Sequence, residues 1–537
     1  MNFYQEQLRQ LALGTSAFPL DDMIRGIEKE NLRVDALGRY VTTPHPEAFG
    51  SALMHPFITT DFSESLLECV TQPTKGRRAL FDNLEAILIG VTEILERQKE
   101  PEFLWPYSMP YLESDEQVNN VPLANYGSSH RARMKKVYRK GLVSRYGNAM
   151  QLIAGIHYNI SFPPQLLLQL GGLPDFPKTS GQALISQRYM GLIRNFIRYQ
   201  WVFAYLFGAS PACFSASLRN KPVPCYLHED RFGSFVGKHA CSLRLGDLGY
   251  NNSAQSSIHL DFQCIEKYAK DLLMATHMPD SRLLDSDVIA ADGSYQQLNR
   301  NLLQLENEYY FNIRPKPNPV ISGGARPAVA LYNHGVEYVE FRGLDLDPLS
   351  PLGLSPKTAA FCDLFLFYLM LMKSPELSYG DKMKGACNLR GIVESGRHPR
   401  AQVVLNESQV PVGEAMNRLL DEMEPLARWM DQAESPLTKD YSQALNQQRQ
   451  VALGKDLNLS AQWMNQWSES ALSLQAFLLQ QQQSHTDYLK KRVLPEKTRQ
   501  AWEMIASDSL KEQAQLEGRE TGSFEEYLQA YFSQGIQ

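Results

Sequence analysis

The sequence predicts an α+β protein: a largely antiparallel sheet with helices outside it and a helical C-terminal part. Three observations predict this. Several short runs alternate polar and apolar residues with the period of a half-buried strand. Their polar members are of one chemical kind, Glu28/Glu30, Glu68, His157/Asn159 and Glu340/Arg342. After about residue 350 the pattern turns helical, over 356–373, 412–432, 461–483 and 497–516.

In chain order, residues 1–13 predict a short helix. Gly26 to Val34, GIEKENLRV, predicts a strand, with a second one from Gly38 to Thr42 across the turn Asp35–Gly38. Glu28 and Glu30 stand two apart, so a strand sets both carboxylates on one face. Ile58 to Thr71, ITTDFSESLLECVT, carries Asp61, Glu64 and Glu68 into an apolar, β-prone end that Pro73 breaks. Like charges held on one face repel unless a cation sits among them, and clustered carboxylate oxygens are the hard ligands Mg²⁺ prefers. The bland alternative is solvated strand positions and a turn acid.

Residues 78–98 show helical periodicity with one buried face. Next comes a basic stretch, HRARMKKVYRKGLVSRYG, in which Arg133, Lys136 and Lys140 recur at three and four. That is a solvated helix face, or, beside a carboxylate–metal site, a face for phosphate oxygens. Residues 150–163 predict a strand with His157, Asn159 and Ser161 on one face, shared by Gln151. Residues 187–207 predict a long apolar helix. Ser242 to Asn252 offers Arg244 and Tyr250 around a glycine turn. Residues 302–316 predict a helix ending before Pro315. Residues 335–345 alternate again, with Glu340 and Arg342 on one face.

The bulk numbers bound the class. A chain of 537 residues suggests about three units, or one large domain with appendages. The change of pattern divides it into 1–350, the sheet-bearing region, and 351–537, a mainly helical region packed on it. A net charge of −6 gives no reason to expect nucleic acid or an anionic membrane as a partner. Seven scattered cysteines without a CxxC pair form neither a disulfide framework nor a zinc site. The first residues lack a secretory pattern, and the most apolar run, 359–372, carries Asp363 and is too short to span a bilayer. A cytoplasmic protein is expected. Neither GxxxxGK[ST] nor a GxGxxG after a strand occurs. A carboxylate–histidine face flanked by Arg and Lys suits two or three divalent cations and phosphoryl transfer from ATP.

Seven segments, GIEKENLRV, TTDFSESLLECVT, MKKVYRKGL, MQLIAGIHYN, SLRLGDLGY, ENEYYFNIRPK and GVEYVEFRGLD, stand in an order and spacing that resemble the proteobacterial glutamate–cysteine ligases, also called γ-glutamylcysteine synthetases. The resemblance covers the chain from about residue 10, strongly between 26 and 350. It implies a glutamine-synthetase-like fold whose curved sheet forms a funnel. It implies ATP-dependent joining of L-glutamate, through γ-glutamyl phosphate, to L-cysteine, the first step of glutathione biosynthesis. It implies Mg²⁺, with Mn²⁺ as a substitute, ATP as co-substrate, glutathione as a candidate feedback inhibitor and a monomer.

By motif, the resemblance implies Glu28, Glu30, Asp61, Glu68, His157 and Glu340 as metal ligands. It sets Arg342 against the transferring phosphoryl group and Arg139 near the nucleotide phosphates. It assigns Phe62, Tyr138, Leu142, Gln151, Arg244, Tyr250 and Tyr310 to the amino-acid pocket, and Asn159, on the His157 face, to substrate contact. Phe62, Tyr138 and Leu142 would form the thiol slot. Tyr309 stands beside Tyr310 and leaves one residue of ambiguity. Two other readings compete: a related ligase with another amine acceptor, and a non-catalytic binding protein on the same fold. The second should have lost a ligand, and all six positions and Arg342 are present.

Overall fold

The computed structural model describes residues 2–13, 20–218, 222–249, 258–435 and 437–536. Among them an eight-stranded sheet forms the centre, every pairing in it antiparallel. Its order is Ile313–Lys316, Tyr338–Leu344, Ile156–Ser161, Ile24–Val34, Leu66–Val70 and Ile58–Thr60. The short strands Thr74–Lys75 and Phe103–Leu104 pair with the ends of Ile24–Val34.

The register lines up the polar residues. Glu28 lies opposite His157, Glu30 opposite Glu68, and Glu340 opposite Asn159 on one side and Arg314 on the other. With a period of two, the alternate residues Ile27, Leu67, Tyr158, Ile160, Val339 and Phe341 go to the other face, where all are buried.

That face packs on helices. Helix Pro356–Leu371 starts with Ser355 accepting the amide of Thr358 and with proline in its first turn, both favourable starts. From Ala359 on it is buried on all sides, between helix Gly181–Tyr199 and the helices Val412–Glu434 and Asp440–Ala452. Phe341 of the sheet touches Phe196 and Phe203, with ring centroids 5.4 and 4.1 Å away. The lone acid of this apolar helix, Asp363, is fully buried and paired. It accepts from Arg25 Nε at 2.8 Å, Arg77 Nη1 at 3.2 Å and the Tyr158 hydroxyl at 2.7 Å. A buried carboxylate is tolerable only with such partners.

Several expected elements differ. The segment 38–42 forms only an isolated bridge, Val34 to Tyr40, beyond a turn closed by the Asp35 amide on the Arg39 carbonyl. The strand holding His157 begins at Ile156, and Gln151 sits instead in the 3₁₀ turn Ala149–Leu152. Residues 302–316 are not a helix. They make a 3₁₀ turn, Glu306–Glu308, and then the strand Ile313–Lys316. Pro315 is accepted there because the strand is the sheet's edge, where a missing N–H breaks no ladder. The apolar helix expected over 187–207 is two, Gly181–Tyr199 and Trp201–Phe207. The tail is helical as expected, with Tyr379–Ser395, Asp440–Ala452 and Phe524–Ser533 in addition. No helix among the described residues is long and apolar enough to cross a membrane.

Candidate active site

The polar face of the sheet carries the carboxylates. Glu28, His157 and Glu340 each offer a ligand atom within 4.8 Å of the others. Glu28 Oε2 lies 2.9 Å from His157 Nδ1, and Glu28 Oε1 accepts from Asn159 Nδ2 at 2.8 Å. His157 Nε2 is 3.4 Å from Glu30 Oε1. The second oxygen of Glu30 accepts the amide of Gly155 at 3.0 Å. A Cβ at Gly155 would stand 2.1 Å from the Arg244 guanidinium, so a larger residue there would push that side chain aside.

Electrostatics follow from this crowding. Burial and then the charges of Glu28, Asp61 and Glu30 push the Glu68 carboxyl well above the usual carboxylate range. Burial also raises Glu30, and His157 only partly offsets it. Burial opposes ionisation of Glu340 too, but Lys316 and Arg342 outweigh it and hold that carboxyl well below the usual range. Directly opposed carboxylates such as Glu30 and Glu68 are unfavourable in a bare sheet. Glu340 Oε2 is buried without a hydrogen-bond partner among the described residues. Two carboxylates and one imidazole within 4.8 Å of one another, with an orphaned buried oxygen on Glu340, fit a divalent cation such as Mg²⁺.

Arg342 stands at the junction. Its Nη1 is 3.4 Å from Glu340 Oε1, its guanidinium lies 5.6 Å from the centre of the Tyr310 ring, and its Nε is buried without a partner. Arg244 is buried, donates from Nη2 to the carbonyl of Arg342 at 2.9 Å, and keeps Nε and Nη1 without a hydrogen-bond partner among the described residues, Nη1 lying 3.8 Å from the buried Asp345 Oδ1. Two idle N–H groups on a buried guanidinium suit a carboxylate.

In front lies a cavity of about 760 Å³, roomy enough for small-molecule substrates. Glu30, Asp61 and Glu68 line it, as do Phe62, Tyr138, Leu142, Gln151, Tyr310, Arg139 and Arg342. Glu28, His157, Asn159, Glu340 and Arg244 stand beside it on the strands and turn. Tyr250 lies outside the described residues. The neighbouring tyrosines separate: Tyr309 is buried against Phe311, ring centroids 6.2 Å apart, while Tyr310 faces the cavity. The turn that presents Tyr310 is held by its acids. Glu308 receives Arg145 at 3.0 Å and the Tyr146 hydroxyl at 2.6 Å, and Glu306 receives Arg326 at 2.9 Å.

Three groups take definite partners. Glu64 of the acid-rich segment is a turn acid, accepting the amides of His45 and Asn125, each at 2.7 Å. Arg139 reaches the cavity wall, where its Nε donates to the carbonyl of Asp61 and its Nη1 to that of Lys135. On helix His130–Tyr146 the stripe that lines the cavity is Arg131, Lys135 and Arg139, while Arg133 and Lys136 are exposed, as the solvated-face reading has it. Arg133 stacks on Phe524 at 4.3 Å instead. The cavity also takes Arg314, Asn307, Tyr527, Tyr531 and Gln534, which the sequence did not single out. Arg314 was findable: it alternates with Lys316 toward Glu340.

With this geometry in place, similarity decides the family. A sequence model described as glutamate–cysteine ligase matches residues 8–392. The chain belongs to the glutamate–cysteine ligase family. It is 41% identical over 519 residues to a glutamate–cysteine ligase of Azotobacter vinelandii, covering 95% of this chain and 94% of that one. It is 39% identical over 539 residues to one of Alcanivorax borkumensis, covering 99% and 100%. Among solved structures, a glutamate–cysteine ligase of Francisella tularensis in complex with AMP superposes with a TM-score of 0.86 at 32% identity, over 95% of this chain and 97% of that one.

Proposed function

We propose that the protein joins L-glutamate to L-cysteine with hydrolysis of ATP to ADP and phosphate, giving γ-glutamylcysteine. The observation that carries this is the carboxylate–histidine face opening on a cavity beside Arg342, in a chain of this family over nearly its whole length.

The chemistry explains the residue types. Hydroxide is a poor leaving group, so a free carboxylate resists attack by an amine. Phosphoryl transfer from ATP to the γ-carboxylate oxygen gives an acyl phosphate. The amine of cysteine then forms the amide bond and phosphate leaves with the C–O bond electrons. Bound Mg²⁺, held by Glu28, His157 and Glu340 and by Glu30, Asp61 and Glu68, would neutralise phosphate charge in the first step. In this reading Asn159 and Gly155 fix the rotamers of Glu28 and Glu30. Arg342 donates to the phosphoryl oxygens as charge grows on them. Arg139 positions Asp61 through its carbonyl. Arg244, with Tyr310 and Tyr250, takes amino-acid carboxylates. Phe62, Tyr138 and Leu142 offer the thiol an apolar slot and help exclude water from the acyl phosphate. The same reading takes the cavity as the mouth of a funnel-shaped site and residues 1–350 as the catalytic region.

The test is a product assay with ATP, Mg²⁺, glutamate and a panel of amines. Phosphate release should require both glutamate and cysteine and should yield the dipeptide. Equal release without cysteine, with no dipeptide, would sink the reading. Faster turnover with another amine would favour the related-ligase alternative.

A further inference from the structure

The helix Phe524–Ser533 lies more than a hundred residues beyond the family match, which stops at 392. Yet Tyr527, Ala530, Tyr531 and Gln534 line the same cavity as Glu68 and Arg342. Its seat is built. The amide of the buried Arg326 donates to Gln534 Oε1 at 3.0 Å, and its guanidinium lies 5.5 Å from the Tyr531 ring and 5.4 Å from that of Phe532. Phe524 and Leu528 pack with Met134, Val137, Leu298 and Leu305, and Tyr138, Tyr527 and Tyr531 close around that cluster. Upstream, Glu520 accepts the amide of His130 at 2.6 Å, an acid at the start of helix His130–Tyr146. The tail is thereby tied to the helix that carries Tyr138 and Leu142.

We propose that this last helix is a specificity wall: Tyr527, Ala530 and Tyr531, with Met134 and Tyr138, bound the outer side of the pocket for the thiol-bearing amino acid. The proposal rests on the ligase reading above. The cavity holds groups of both kinds, Glu30, Asp61, Glu68 and Arg342 as well as Phe62, Leu142 and Gln151. What sets the last helix on the amino-acid side is Tyr138 of the thiol slot, which packs against the same cluster as Tyr527 and Tyr531. Phenol rings and a methyl group match a small, weakly polar side chain better than they match phosphates. The wall is a helix outside the sheet, so acceptor preference is separable from phosphoryl transfer.

Steady-state kinetics on the full chain test it. Ala530 is exposed at the mouth, so Ala530→Leu folds while adding bulk to the wall. It should raise the KM for cysteine by about tenfold, the usual effect of extra methylenes against a fitted apolar substrate. The KM values for ATP and glutamate should stay within about twofold. Tyr531→Ala should do the converse, raising kcat/KM for the thiol amino acid one methylene longer relative to cysteine by about tenfold. A melting curve like that of the parent establishes that either variant is folded. A change falling on the ATP or glutamate KM, or no change in any, overturns the proposal and leaves the ligase assignment standing. A parent protein that makes no dipeptide overturns the assignment itself.

Discussion

Replacing Arg342 by lysine separates two roles for this residue. In an exposed ion pair with Glu340, the loss would cost about 0–1 kcal/mol of stability and nothing in rate. The structure makes Arg342 something else. Glu340 is buried, the Arg342 side chain is 17% exposed, and its Nε points at no described acceptor. Glu340 does not depend on Arg342 alone, because Lys316 Nζ lies 3.2 Å from Oε1. Lysine at 342 keeps a positive charge beside a carboxylate that still has a partner. The expected stability change is therefore below about 1 kcal/mol. What lysine loses is the planar fork, and with it a fixed donor toward a phosphoryl group. A donor aimed at charge that grows only in the transition state is typically worth about 3 kcal/mol, or roughly 10²–10³ in rate. Arg342→Lys should thus lower kcat by at least about tenfold, while KM for both amino acids changes much less. Coupled measurement of ADP release, with a denaturant curve on the same preparation, gives both numbers. A full kcat with altered stability would refute the reasoning and return Arg342 to a structural role.

Three further outcomes are expected. Glu68→Gln keeps the shape but removes a charge directly opposite Glu30; activity should be lost with little change in metal-free melting temperature, because repulsion is relieved, and wild-type activity at low Mg²⁺ would count against a metal role. His157→Ala should raise the Mg²⁺ concentration needed for half-maximal activity; an unchanged metal dependence with a lower melting temperature would mark a structural histidine. Asp363→Asn weakens one buried partner of Arg25 and Arg77 while Glu434 stays beside both, so it should cost about 1–3 kcal/mol by denaturant unfolding, and a loss under about 0.5 kcal/mol would show that the pair contributes little.

Much of the site was legible because its signal is local. Two acids at i and i+2 in a strand share a face whatever the rest of the chain does, and so do His157 with Asn159 and Glu340 with Arg342. The ordered motifs pointed to the family, and the match over 8–392 bears that out. The α+β class and most of the tail helices were equally local.

Other features were decided by residues far apart in sequence. Whether Glu30 meets Glu68 depends on strand order and register, which hydrophobic packing of Ile27, Leu67 and Tyr158 on the helices selects. Whether 302–316 is helix or edge strand depended on Tyr338–Leu344 offering a free edge, which overrode the local pattern. On helix His130–Tyr146 two basic stripes were available, and spacing alone could not choose between them. Met134 and Val137 packing on Phe524 and Leu528 turned Arg131, Lys135 and Arg139 inward. The cavity wall from the last helix has no sequence signature, because an amphipathic helix looks the same whether it covers a core or a substrate. The sequence by itself determined which side chains share a face of a strand; the tertiary structure decided which faces meet, because burial of apolar area is a property of the whole chain.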